Sequence, residues 1–271
     1  MKVKEMGKPM SIADENKQYS LAQILGIWVL GGTPMWILGW LVYPALAQGL
    51  PAAEAGMLRI KLLTMGLIWQ FVLSMIILYR EQGNVRLGTI RKRFWLNHPI
   101  SPKTGETDKR LWWWLLPFVL AIFAYSTVAS GPLTELWLRW FPFLAAPEGF
   151  DASTLFAPEL LPQWQGAWGL FWWFLVLGVF NTVLGEEFLY RGVLLPKMRG
   201  VFGKWDWVAN AVLFTLYHIH QPWSWLANLP YGLLLSFSGR YFRSNWFPII
   251  LHSGQTVFFL VIILGVVLGL A

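Results

Sequence analysis

Two adjacent carboxylates, Glu186 and Glu187, follow one of the most apolar runs in the chain, Ala167 to Leu184. Carboxylates at the end of a membrane-type helix are costly to place and so call for a chemical reason. Arg191 supplies part of one. In a helix Glu187 and Arg191 are i,i+4 neighbours in the favourable order, acid first. Glu186 is turned about 100° away from Glu187 and lacks such a partner. One Glu therefore reads as neutralised and structural, and the other as free to meet groups elsewhere.

Three of the four His could be those groups. His218 closes Phe214-Thr215-Leu216-Tyr217-His218, and His252 opens His252-Ser253-Gly254-Gln255-Thr256. Thr256 is i,i+4 from His252 and shares its face. His220 is about 200° round a continuous helix from His218, which would separate the two. His98, in a basic loop, is expected to be solvated. A lone His on an apolar face is usually a satisfied core residue. One unpaired Glu and two His on three separate spans instead point to a shared polar site. Hydrolysis fits them. A Glu in a low-dielectric pocket can act as general base, His218 could hold the same water, and donors at His252 and Thr256 could steady an oxyanion. Serine chemistry fits less well, because no Gly-x-Ser-x-Gly elbow is present and Ser253 points off the His252 face.

These residues need a membrane scaffold. Of 271 residues 56% are hydrophobic and 13% charged, against about 25% charged in soluble domains. We read an all-α, polytopic membrane helix bundle. It has about seven spans, near 20–46, 57–79, 111–130, 167–184, 205–220, 226–239 and 246–270. A re-entrant or interfacial helix in 131–165 would make eight. Gly31-Gly32 and Pro34 predict a kink in the first span. Arg59 and Lys61 are expected to snorkel to the interface, and Trp112-Trp113-Trp114 to anchor there.

Residues 1–19 read as a cytoplasmic tail, 20–160 as N-terminal spans with a basic cytoplasmic loop at 80–110, and 161–271 as the catalytic core. In that loop, Arg91-Lys92-Arg93 before Phe94-Trp95-Leu96 reads as an interfacial stretch on anionic lipid or as a solvated segment. With the N-terminus inside, 18 of the 21 Lys and Arg fall on the cytoplasmic side. The C-terminus then lies outside, and in a bacterium the membrane would be the plasma (inner) membrane. The net charge of +7 is explained by these loops, so nucleic acid is not expected as a partner. Absence of Cys excludes disulfides, zinc–thiolate sites and a cysteine nucleophile.

The series Glu186-Glu187-x-x-x-Arg191, Phe214-x-x-x-His218 and His252-x-x-x-Thr256 resembles the three-motif signature of the CPBP (ABI) family, which includes the type II CAAX prenyl proteases. The resemblance covers about residues 165–260. It implies an intramembrane endopeptidase of glutamate or metal-dependent type, acting on a membrane-associated or lipidated peptide. Glu186 and His218 would activate water, and His252 and Thr256 would form the oxyanion site. Glu187, Arg191 and Phe214 would be architectural. Such proteins often have Asn where Thr256 stands, and Gln255 is an alternative donor. No cofactor is favoured; if zinc is held, Glu186, His218 and His252 would be its ligands. The His-Glu-x-x-His arrangement of many zinc proteases is absent. Two other readings are a catalytically silent binding or immunity protein of this fold and a proton-coupled transporter. The latter predicts matched broken helices in two halves, which the sequence lacks.

Overall fold

The structure, a computed structural model, describes residues 17–151 and 155–270. Most of the expected tail, with Lys2, Lys4 and Lys8, lies outside them. Among the described residues there is no strand, only an isolated bridge between Ile100 and Thr107. Five helices are long and apolar enough to cross a membrane: α1 (Leu21–Leu46), α2 (Ala52–Gln82), α4 (Lys109–Val128), α6 (Trp168–Lys197) and α9 (Trp246–Val267). By that measure the chain is an integral membrane protein. Shorter helices include α3 (Leu87–Arg93), α5 (Ser130–Trp140), α7 (Asp206–Tyr217) and α8 (Trp225–Phe242). With 12 and 18 residues, α7 and α8, the expected fifth and sixth spans, fall outside the five.

Local sequence sets the helix ends. Ser20 starts α1 with a capping box, its hydroxyl accepting from the Gln23 amide while the Gln23 side chain accepts from the Ser20 amide. Pro34 has no N–H for the Leu30 carbonyl. The Trp69 indole of α2 donates to that carbonyl at 2.8 Å, and α1 widens to a π-helical turn over Leu38–Val42. Gly83, at φ 69°, ends α2 in the left-handed conformation, its amide bonded to the Tyr79 carbonyl.

α6 lies at the centre of the bundle. It packs on α2 and α9, touches α1 and α7, and α7 runs along α8. The largest buried cluster joins Ile24, Leu67, Phe94, Leu189, Val193 and Phe214 from α1, α2, the turn after α3, α6 and α7.

Three expectations about basic and aromatic residues are corrected. Arg59 does not snorkel. It is buried, donates to the Gly39 and His220 carbonyls at 3.3 and 2.9 Å, and lies over the Phe150 ring at 4.5 Å. Its charge is thus spent on two carbonyls and an aromatic face inside the bundle. Arg93 is neither on lipid nor solvated. It pairs with Glu81 at 2.7 Å and donates to the Gly192 and Val193 carbonyls of α6 at 2.8 and 3.1 Å. Phe94 and Leu96 are buried beside it, Phe94 edge-on to Phe188 at 5.0 Å. Tyr19 joins this cluster through Glu81 and Arg93, and burial pushes its phenol well above the ordinary range. Of the three tryptophans, Trp113 and Trp114 are exposed as an anchor requires, while Trp112 stacks inward on Phe247 at 5.3 Å.

Arg93 thus ties α2 and α3 to the carbonyls of α6. Arg93→Met should cost about 3–5 kcal/mol, because it leaves the Glu81 charge without its cation and removes the donor to two α6 carbonyls. The exposed Arg91→Met should change stability by less than about 0.5 kcal/mol. Thermal unfolding in detergent compares the two, and equal effects would contradict the assignment.

Candidate active site

The site begins with the path of α6. It is α-helical from Trp168 to Val179, then π-helical over Phe180–Gly185 and again over Glu187–Leu194. Wide π turns break the ordinary ladder and recur at functional positions. Two asparagines donate to carbonyls of this stretch. Asn245 donates to the Glu187 carbonyl at 3.1 Å, and Asn210 to that of Tyr190 at 2.8 Å. Gly185 lets α6 lie against α2, since a Cβ there would stand 2.8 Å from the Leu67 carbonyl oxygen.

Both carboxylates are buried, Glu186 at 2% and Glu187 at 0% exposure. Glu187 pairs with Arg191 at 3.4 Å, as the i,i+4 spacing predicts. The guanidinium nitrogens make no hydrogen bond; the group lies 3.8 Å over the Phe214 ring, where charge meets the negative face of the π system. Phe214 also stands edge-on to His218 at 4.9 Å and to His252 at 6.2 Å. One ring therefore braces the cation and both imidazoles. Glu187 has a second role that the spacing did not reveal. Its Oε1 is 2.9 Å from His252 Nδ1 and holds that ring in place.

Glu186 accepts a hydrogen bond from Tyr217. His218 Nε2 is 3.9 Å from its Oε1, and His252 Nε2 is 3.9 Å from its Oε2. The partners fix one proton on each ring. His218 Nδ1 faces the Phe214 carbonyl at 2.8 Å, and a carbonyl can only accept. His252 Nδ1 faces a carboxylate already paired with arginine. Each Nδ1 therefore carries a proton, and each ring turns its Nε2 toward Glu186. The site presents a carboxylate and two imidazoles from three helical regions to one point, an arrangement suited to a water molecule.

These groups line a cavity of about 720 Å³ whose walls include Leu63, Val119, Phe123, Ile250 and Phe258. His220 lines it too. The expectation that His218 and His220 are separated is corrected: α7 ends at Tyr217, so no continuous helix carries the two rings apart, and they stack at 5.6 Å. Thr256 is placed differently from the other three motif residues. Its hydroxyl is 3.5 Å from that of Thr182, and its methyl packs on Gly178 of α6. Ser253 also turns to Thr182, at 3.1 Å. The cavity stretch of α9 beyond His252 is Gly254, Gln255, Phe258 and Phe259. Among the described residues, no three or more His, Asp or Glu side chains are grouped as a metal site, the Glu186–His218–His252 set included.

Residues 167–258 match the model of a family described as "Type II CAAX prenyl endopeptidase Rce1-like". This segment is Rce1-like. It runs from the start of α6 into α9 and contains Glu186, His218, His252 and Thr256. Over 149 residues the chain is also 26% identical to UPF0177 protein YbdI of Lactococcus lactis subsp. lactis (strain IL1403), covering 55% of this chain and 74% of that one. No solved structure matches. Tyr217 and Tyr231, both in the Rce1-like segment, were not singled out from sequence. Tyr217 adjoins His218 in the chain, which was the one available signal; Tyr231 gave none.

The Glu187–Arg191 pair is fully enclosed, so removing one charge strands the other. Glu187→Gln should lower stability by about 3–5 kcal/mol, and adding Arg191→Met should recover most of that. Thermal midpoints of the three proteins test it. A double variant as weak as the single one would locate the loss elsewhere.

Proposed function

We propose that the chain is an intramembrane endopeptidase that hydrolyses a peptide bond in a membrane-associated peptide, lipidated peptides included. The observation that carries the reading is the buried Glu186 carboxylate between two imidazole Nε2 atoms, each 3.9 Å away, in the Rce1-like segment. In this reading a water donates one hydrogen to Glu186 and the other to His218 Nε2. Glu186 takes the proton as the water oxygen attacks the peptide carbonyl carbon, and returns it to the departing amide nitrogen. The Tyr217 hydroxyl keeps the carboxylate turned toward the water. His252, fixed by Glu187, closes the other side. The apolar walls of the cavity suit a substrate that arrives from lipid. Seven spans, a cytoplasmic N-terminus and an external C-terminus complete the reading, supported by the distribution of Lys and Arg.

Wild type and Glu186→Gln, purified in detergent, are compared on internally quenched peptides with and without a farnesylated cysteine. Glu186→Gln is expected to lower turnover by at least about 100-fold, the smaller end of what a positioned general base supplies. The wild-type rate is expected to survive o-phenanthroline. Loss of cleavage with the chelator would move water activation to a metal, and equal cleavage by mutant and wild type would remove Glu186 from the chemistry.

A further inference from the structure

Resting on the protease reading, the attacked carbonyl oxygen needs a donor that gains strength as negative charge develops on it. The residues expected for that task are not set up to donate. His252 turns Nδ1 to Glu187 and Nε2 to Glu186, so neither ring nitrogen is aimed at a substrate carbonyl. The Thr256 hydroxyl is directed at Thr182. Tyr217 is bound to Glu186. Gln255 lines the cavity but is exposed, so its amide is not held in one direction.

One hydroxyl meets the requirement. Tyr231 of α8 lines the same cavity, and its ring stands edge-on to His252 at 5.7 Å. Its oxygen is enclosed and has no hydrogen-bond partner in the protein. A buried phenol oxygen without a partner is costly to keep, and tyrosine normally finds one when buried. We propose that Tyr231 is the oxyanion donor, its O–H bonding the substrate carbonyl oxygen as that oxygen becomes negative. The proton stays on the tyrosine throughout, and only the hydrogen bond strengthens. The ring is braced from one side by His252, so the donor is oriented before substrate arrives.

The test is steady-state cleavage of the quenched peptides by Tyr231→Phe, Thr256→Val and Glu186→Gln, with thermal midpoints for each. Tyr231→Phe should lower kcat by about 100- to 1,000-fold with KM within about twofold, as expected for a contact made only in the transition state. Its midpoint should be no lower than wild type, since the lost hydroxyl bonds nothing in the free protein. Thr256→Val should lose less. If wild type cleaves, Glu186→Gln does not and Tyr231→Phe keeps its kcat, this assignment fails while the protease reading stands. It fails equally if Thr256→Val shows the larger fall in kcat, or if Tyr231→Phe melts lower because its hydroxyl was structural. A wild type that cleaves no peptide of the panel overturns both.

Discussion

The fold depends on neutralising a carboxylate inside an apolar bundle. An unpaired buried charge is among the most expensive features a protein can carry, and more so where lipid replaces water outside. Glu187 is neutralised by Arg191, and Arg191 is spread over the face of Phe214. With that charge balanced, the same oxygen of Glu187, Oε1, also fixes His252. The pair therefore decides the direction of an imidazole on another helix. It also leaves Glu186 as the nearby carboxylate facing two imidazoles and one phenol. The two glutamates differ by one position, and the difference lies in which of them reaches the guanidinium.

That difference depends in turn on the course of α6. Side chains of other elements add hydrogen bonds to its π-helical stretch: Asn245 donates to the Glu187 carbonyl and Asn210 to that of Tyr190. Arg93 does the same for Gly192 and Val193 from the opposite side. Four carbonyls of one helix are thus bonded by side chains of α3, α7 and the turn before α9. Departures from regular hydrogen bonding are tolerated in apolar surroundings only when neighbours satisfy them. Here the neighbours also lock the helix in rotation, and so aim the Glu pair.

Some of this was legible in the sequence, for physical reasons. The apolar runs reveal themselves through composition, because hydrocarbon accepts little else. The Glu187–Arg191 pair follows from helical spacing, which needs no knowledge of the rest of the fold. The gathering of His218 and His252 around Glu186 followed from the cost of isolated ionisable groups in spans. What escaped is what depends on where a helix stops or which neighbour stands opposite. His220 was separated from His218 on a helical wheel, yet α7 ends at Tyr217 and the wheel does not apply. Arg59 and Arg93 looked like interface and loop cations, because nothing local shows that carbonyls of Gly39, Gly192, Val193 and His220 would be free to receive them. Thr256 keeps its place in the spacing, but its hydroxyl meets Thr182 because Gly178 leaves room for the methyl on that side.

The balance of donors and acceptors in the cavity bears on the kind of substrate that could use it. A peptide segment within a membrane keeps its backbone groups bonded to one another, since lipid offers them nothing. Cleaving it requires at least one peptide unit to leave that arrangement, and the freed N–H and C=O then need partners. The cavity wall is mostly apolar, which accommodates the side chains or lipid of such a segment without cost. Its polar groups include the Glu186 carboxylate, the two imidazoles and the unpartnered Tyr231 oxygen, and Asn181, Gln221 and Asn228 also line the wall. On the protease reading proposed above, a membrane-resident segment with one exposed peptide unit would give up fewer backbone hydrogen bonds on entering an apolar cavity than an extended peptide leaving water.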